Sequence, residues 1–407
     1  MKASSDNRSD SRIPELDGIR GLAIILVLFK HYVADPIVPG ASRLGDFVHT
    51  VSAMGWTGVD LFFVLSGFLI GGILMDSRDS EHYFKAFYIR RCCRILPIYL
   101  LNLAAFYIAL RLLSASHASQ HWFAELFTKG SVPPLWTNLT LTQNIYFLAT
   151  GKYNADWLIV TWSLVVEEQF YLLFPLAVWI LRPSWLLPVL LLIICVNPLL
   201  QLYLLIFDPR LSDAVGTLLP LSGDALLVGA TCAYMLRRAK CKTWLAQNSR
   251  YLHLMFLLLL LGMVYVAPRY NTSMFRYDQI LVYNLLFALF YSCLLLLAVT
   301  HREGILAAIM RLGPLRAMGT ISYGVFLFNI PVNSLLRGLM FGKDRMYQGP
   351  FDLVLTLLAL FATLLVASLS WHFVEKPAVA WGHSFLYGKQ QNKSAIPAPQ
   401  IQSPPAS

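Results

Sequence analysis

The chain has 407 residues, of which 57% are hydrophobic and only 13% charged. Soluble domains carry about 25% charged residues, so an aqueous globular fold is excluded. The net charge of +10 fits a membrane protein that keeps Lys and Arg on cytoplasmic loops, and no nucleic-acid partner is expected. Six cysteines occur without a CxxC pair, which speaks against a disulfide framework and against a zinc centre; no metal site is expected.

The chain reads as an all-α polytopic membrane protein. Residues 1–16, "MKASSDNRSDSRIPEL", form a polar cytoplasmic N-tail with no cleavable signal. A membrane domain is expected over 17–377, and 378–407 reads as a disordered cytoplasmic C-tail rich in Pro, Ser and Gln. A helical span needs about 20 mostly apolar residues. Ten spans are predicted, near 17–36, 57–76, 95–114, 157–181, 184–205, 217–236, 252–268, 279–300, 319–337 and 351–373. With the N-terminus inside, 20 Lys/Arg fall on the cytoplasmic side and 9 on the outer side, which predicts that both termini are cytoplasmic.

Ionisable residues inside spans are costly, about 2.5–3.5 kcal/mol each, and are therefore candidates for function. The first span, "DGIRGLAIILVLFKHY", carries Arg20 and His31. Eleven residues at ~100° each bring both onto one helix face, about 16 Å apart along the axis. Arg20 reads equally as an interfacial anchor, and His31 as a packed histidine. Lys30 is expected ~100° away, as a snorkelling side chain. The second span, "GWTGVDLFFVLSGFLIGG", carries Asp60 and Ser66 among glycines that read as packing sites. Asp60 could contact an acceptor hydroxyl or cap its helix. "FYIRRCCRILPIY" opens the third span. There Arg90 and Arg94 share a face with Arg91 turned aside; positive-inside anchoring explains them, and phosphate binding is the alternative. Cys92 and Cys93 have no visible base beside them.

The fourth span, "TWSLVVEEQFYLLFP", holds adjacent Glu167 and Glu168, with Tyr171 one turn from both. Two carboxylates in low dielectric do not both ionise easily. By helical rise, His31 and Glu167 are expected at similar depth. That would allow an imidazole–carboxylate pair suited to general base work.

These segments together resemble membrane-bound acyltransferase family 3, the bacterial O-antigen and nodulation-factor acetyltransferases. The likeness rests on Arg-x10-His at Arg20 and His31, "GVDLFFVLSGFLI", "RRCCRILPIY", "WSLVVEEQFYLLFP", "ISYGVFLFNIP" and "FVEKP", in register along most of the chain. The resemblance implies acyl transfer, commonly of acetyl from acetyl-CoA, to a hydroxyl of an exported or membrane-associated carbohydrate. It makes Arg20 and His31 the essential pair, Arg90, Arg91 and Arg94 candidates for the CoA phosphates, and Glu167 a further polar group at the reaction centre. Acyl-CoA is then a donor substrate, with no cofactor bound permanently, and the cell inner membrane is the expected location. Members usually carry His where Asn329 stands, and Asn cannot take up a proton at neutral pH. Asn329 therefore either orients a ligand or marks a changed acceptor or lost activity. Some members carry a fused hydrolase-like domain after the spans; without it a second transfer needs a partner. Direct attack on the thioester is preferred to an acyl-enzyme on His31 or Ser66. The rival reading from another class is a transporter or flippase of acylated or lipid-linked saccharides, against which stands the lack of an internal inverted repeat. A regulatory, degenerate member is the third. Acceptor identity, acyl length and oligomeric state are open at this stage.

Overall fold

The computed structural model describes residues 13–40, 42–115, 131–152, 154–207, 217–270, 282–341 and 350–388. The N-tail up to residue 12, part of the loop after the third span, and the C-tail from residue 389 lie outside the described residues.

Among the described residues every regular element is helical, apart from one isolated bridge between Ser131 and Asn154. Twelve helices frame the fold: α1 (Pro14–Phe29), α2 (Arg43–Ala53), α3 (Gly58–Ser77), α4 (Tyr83–Ala115), α5 (Thr161–Ile180), α6 (Pro183–Phe207), α7 (Asp224–Arg237), α8 (Ser249–Tyr270), α9 (Asn284–Thr300), α10 (Gly313–Phe341), α11 (Pro350–Ser370) and α12 (Lys376–His383). Six stretches are long and apolar enough to cross a membrane: Arg43–Ser77, Tyr83–Leu112, Thr161–Ile180, Pro183–Leu204, Ser249–Arg269 and Phe351–His383. The four other expected spans are also helical, in α1, α7, α9 and α10. Of these, α9 is apolar but has only 17 residues.

Helix α1 starts at Pro14, whose fixed φ suits the first turn, and Glu15 and Asp17 favour its positive end. It packs on α10 and α3 at close range because glycines stand at the crossings. A Cβ on Gly21 would overlap the Leu315 carbonyl of α10, and one on Gly319 would overlap the Asp17 carbonyl. The α3–α7 contact is built the same way, with Gly67 against the Leu226 backbone and Gly229 against that of Val64. Without a hydrophobic drive between helices in lipid, close backbone approach is what holds them. The largest buried cluster lies between these helices and includes Ile19, Leu65, Phe87 and Tyr99.

Two departures from expectation shape the site. The third span begins at Tyr83 instead of near residue 95, so Arg90, Arg91 and Arg94 stand within α4 and not in a preceding loop. Also, α1 does not stop at Phe29 but continues as a π-helical turn over Lys30–Ala34. Single π turns of this kind are frequent at functional sites.

Candidate active site

A cavity of about 110 Å³ lies between α1, α3, α4, α5 and α10. Its polar wall is formed by Arg20, Arg91, Arg94, Ser66, Glu167 and Tyr171. Glu167 is the hub: its Oε1 accepts hydrogen bonds from both the Ser66 hydroxyl and the Tyr171 hydroxyl. The Tyr171 bond is the one-turn i,i+4 relation. The bond to Ser66 joins α5 to α3 and needed the tertiary structure to be seen.

The adjacent acids part company. Glu168 does not line the cavity, and its Oε1 is buried with no hydrogen-bond partner among the described residues. The arginines also separate. Arg91 lies over the Phe87 and Tyr171 rings at 6.0 and 5.6 Å, and its buried Nε makes no hydrogen bond among the described residues. Arg94 lies over the Trp371 ring at 5.4 Å. Arg90 instead donates from Nε to the Phe385 carbonyl at 2.9 Å and covers Tyr387 at 4.8 Å. The cavity-facing pair is thus Arg91 and Arg94, not Arg90 and Arg94. Residues at i+3 and i+4 are both neighbours on a helix, and the packing of α4 against α5 and the segment after α12 selects between them. Such cation–ring contacts are worth about 2 kcal/mol when desolvated, which helps these cations stand in an apolar bundle.

Arg20 reaches the cavity and is steadied by Asp17 Oδ1 at 2.9 Å. His31 does not line the cavity. The expected His31–Glu167 pair is not formed; the carboxylate on His31 is Asp35, whose Oδ2 is 3.0 Å from Nδ1. Lys30 binds the other oxygen of Asp35, so it is not turned aside as expected. The π turn causes both: it adds a residue per turn and brings positions i and i+1 of the turn under Asp35 together, whereas a regular helix would splay Lys30 away. Asp35 was missed from sequence, although its i+4 spacing from His31 was visible. With Nδ1 occupied by Asp35, Nε2 is the nitrogen left to exchange a proton.

The remaining candidates fall elsewhere. Asp60 sits in the first turn of α3 and does not line the cavity; its Oδ2 is buried and has no hydrogen-bond partner among the described residues. Asn329 is fully buried. Its Nδ2 donates to the Val325 and Phe326 carbonyls at 3.2 and 2.6 Å, its main-chain carbonyl accepts from the Tyr32 hydroxyl at 3.0 Å, and its buried Oδ1 has no hydrogen-bond partner among the described residues. The side chain thus bonds only within α10, and the link to Tyr32, the residue that follows His31, is made by the main chain. Two further buried charges were not singled out. Glu375, in the π turn Trp371–Glu375, lies close enough to attract Arg94 and accepts from Ser370 at 3.3 Å. Arg337, expected in an outer loop, is buried within α10 and bonded to Asn333 and Thr356 at 3.0 and 2.7 Å. Among the described residues no group of three or more His, Cys, Asp or Glu could hold a metal ion.

A family model described as an acyltransferase domain, Acyl_transf_3, matches residues 13–372. The chain belongs to acyltransferase family 3. It is similar to YrhL of Bacillus subtilis, whose assignment as a peptidoglycan O-acetyltransferase is itself provisional; the two are 28% identical over 395 residues, covering 90% of this chain and 54% of that protein. It is similar also to the peptidoglycan O-acetyltransferase OatA of Listeria monocytogenes, at 24% identity over 398 residues, 90% of this chain and 55% of the relative. For the O-acetyltransferase OatA of Staphylococcus aureus the identity is 24% over 385 residues, 90% of this chain and 57% of the relative. The chain thus spans about half the length of the curated relatives it matches. No solved structure matches it.

Proposed function

We propose that this family 3 acyltransferase is a multi-pass membrane O-acetyltransferase that moves an acetyl group from acetyl-CoA to a hydroxyl of a carbohydrate. One observation carries the reading: three guanidinium groups, Arg20, Arg91 and Arg94, converge on one cavity inside an apolar bundle, beside Ser66, Glu167 and Tyr171. With three cations against the single acid Glu167 in its lining, the cavity suits an anionic ligand, and guanidinium is the group best matched to phosphate. The O-acetyltransferase names of the relatives support the reaction type.

In this reading the CoA pyrophosphate rests on the three arginines. The pantetheine arm follows α1 toward His31, about 16 Å along the axis. His31 takes the proton of the acceptor hydroxyl at Nε2, while Asp35 holds the tautomer and stabilises the imidazolium that forms. The hydroxyl oxygen attacks the thioester carbon, and the CoA thiolate leaves, to be protonated. Glu167, tied to Ser66 and Tyr171, fixes the arrangement of α3 and α5 around the donor. Ten spans with both termini in the cytoplasm of an inner membrane agree with the loop-charge bias, and place the α1 N-terminal end at the donor's side. Peptidoglycan, the acceptor in the names of two relatives, is one candidate acceptor among cell-surface glycans.

The test is transfer of labelled acetyl from acetyl-CoA to cell-envelope glycan in membrane vesicles. The wild-type protein is expected to label alkali-sensitive esters, and His31→Ala and Arg20→Ala to lose that label. Full activity in both variants would sink the mechanism.

A further inference from the structure

A second cavity, about 550 Å³, lies at the end of the bundle where α1 begins and where α3, α7 and α9 end. Its size falls within the ~300–1,000 Å³ of small-molecule sites. It borders the first cavity, because Leu69 of α3 lines both. Along α1, Arg20 faces the first cavity and Leu16 and Ile13 face the second, at helical spacings of four and then three. One stripe of α1 therefore runs from one cavity into the other over about 10 Å.

The charge in this second cavity is unevenly spent. Arg237 closes on Asp76 through Nε and Nη2, and a third bond from Nη1 goes to the Ala233 carbonyl at 3.0 Å. That pairing neutralises the one acid in the wall. Lys242, on the short helix Ala239–Gln247, and Arg302, just after α9, also line the cavity. Among the described residues neither side chain pairs with an acid. The rest of the lining is largely apolar, from Phe68, Leu69 and Ile73 of α3 and Val299 of α9. The site thus offers two unspent cations over an apolar wall, which suits a flat organic body bearing a phosphate.

We infer that this cavity takes the phosphorylated nucleoside end of acyl-CoA, with Lys242 and Arg302 on its ribose phosphate and the pyrophosphate at Arg20, Arg91 and Arg94. This rests on the donor reading given above. Ile13 and Arg20 are only about 10 Å apart along the start of α1, a span that one extended ligand can cover. An anionic lipid headgroup would present the same phosphate chemistry, and the experiment separates the two.

The experiment uses the full-length protein in phosphatidylcholine nanodiscs, with Lys242→Ala, Arg302→Ala and the double variant. Steady-state kinetics are measured with acetyl-CoA and with acetyl-pantetheine, which carries the same thioester but no nucleotide. Each single substitution is expected to lower the ratio of kcat/KM for acetyl-CoA to that for acetyl-pantetheine about tenfold, as for loss of one charge-assisted hydrogen bond. Adenosine 3′,5′-bisphosphate is expected to compete with acetyl-CoA in the wild-type protein and to bind the variants about tenfold more weakly. An unchanged ratio overturns the inference. So does an equal fall with both donors, which would make the two residues supports of the fold. If the variants keep bisphosphate affinity but lose a response to added phosphatidylglycerol, the cavity holds lipid and the inference falls. Failure of the wild-type protein to use acetyl-CoA at all would sink the donor reading and this inference with it; turnover with an unaffected ratio sinks this inference alone.

Discussion

The two ends of the first transmembrane segment are built differently. At the Arg20 end the charges are gathered between helices: the cation is steadied by Asp17, and it faces two other guanidinium groups and the Glu167 hub across a cavity of about 110 Å³. At the His31 end the backbone itself is altered, and the π turn holds Lys30 and His31 on one carboxylate, with the Asp35 and His31 side chains 42% and 24% exposed. A multiply cationic chamber between helices suits holding a charged donor. A partly open imidazole–carboxylate pair suits meeting a hydroxyl that arrives from outside the bundle. One helix can thus serve two substrates without their sites overlapping, provided that the donor's arm spans the gap.

Substitutions at the two ends should separate them. His31→Ala is expected to have the largest effect, a loss of about 10³-fold in kcat with donor affinity kept, as for removal of a general base. Measured binding of acetyl-CoA to this variant checks the second half. Asp35→Asn should lower kcat by roughly 10²-fold, since the amide leaves the imidazolium without its counter-charge; a change in donor KM instead would place Asp35 in the wrong half. Arg94→Ala is expected to raise the KM for acetyl-CoA by about 10- to 100-fold with a smaller change in kcat. Arg94→Lys should recover only part of that, because ammonium lacks the planar fork and stacks less well on Trp371. Gly67→Ala touches neither end, yet its Cβ would overlap the Leu226 backbone. It should destabilise the protein by about 1–3 kcal/mol, read as a lower Tm in detergent, with both kinetic parameters kept in the surviving fraction. Lys30→Met should matter least, under about threefold in kcat, because exposed ion pairs contribute little. A large loss there would make Lys30 part of the proton chemistry.

Much of this arrangement could be read from the chain. The helical fold followed from the apolar runs, and the packing role of the glycines from small residues within them. The Glu167–Tyr171 bond was visible as an i,i+4 spacing, whereas His31, expected on one stripe with Arg20, does not line the cavity that Arg20 reaches. The Asp35 partner was visible in principle, but a regular helix was assumed where the backbone makes a π turn. The split between Arg90 and Arg91 was not visible. Both are one turn from Arg94, and only their neighbours, Phe385 and Tyr387 for one and Phe87 and Tyr171 for the other, separate them.

What the sequence determined by itself is the class of protein, the run of helices and the stock of intramembrane charges, because hydropathy and helical period are local properties. What only the tertiary structure decided is which charges meet. Ser66 and Glu167 are about a hundred residues apart, and Arg94 and the Trp371 ring that it covers are separated by nearly three times as many. Such pairs depend on how close the helix backbones approach and on how each helix is rotated about its axis. Both are set by packing against several neighbours at once, which no single stretch of sequence records.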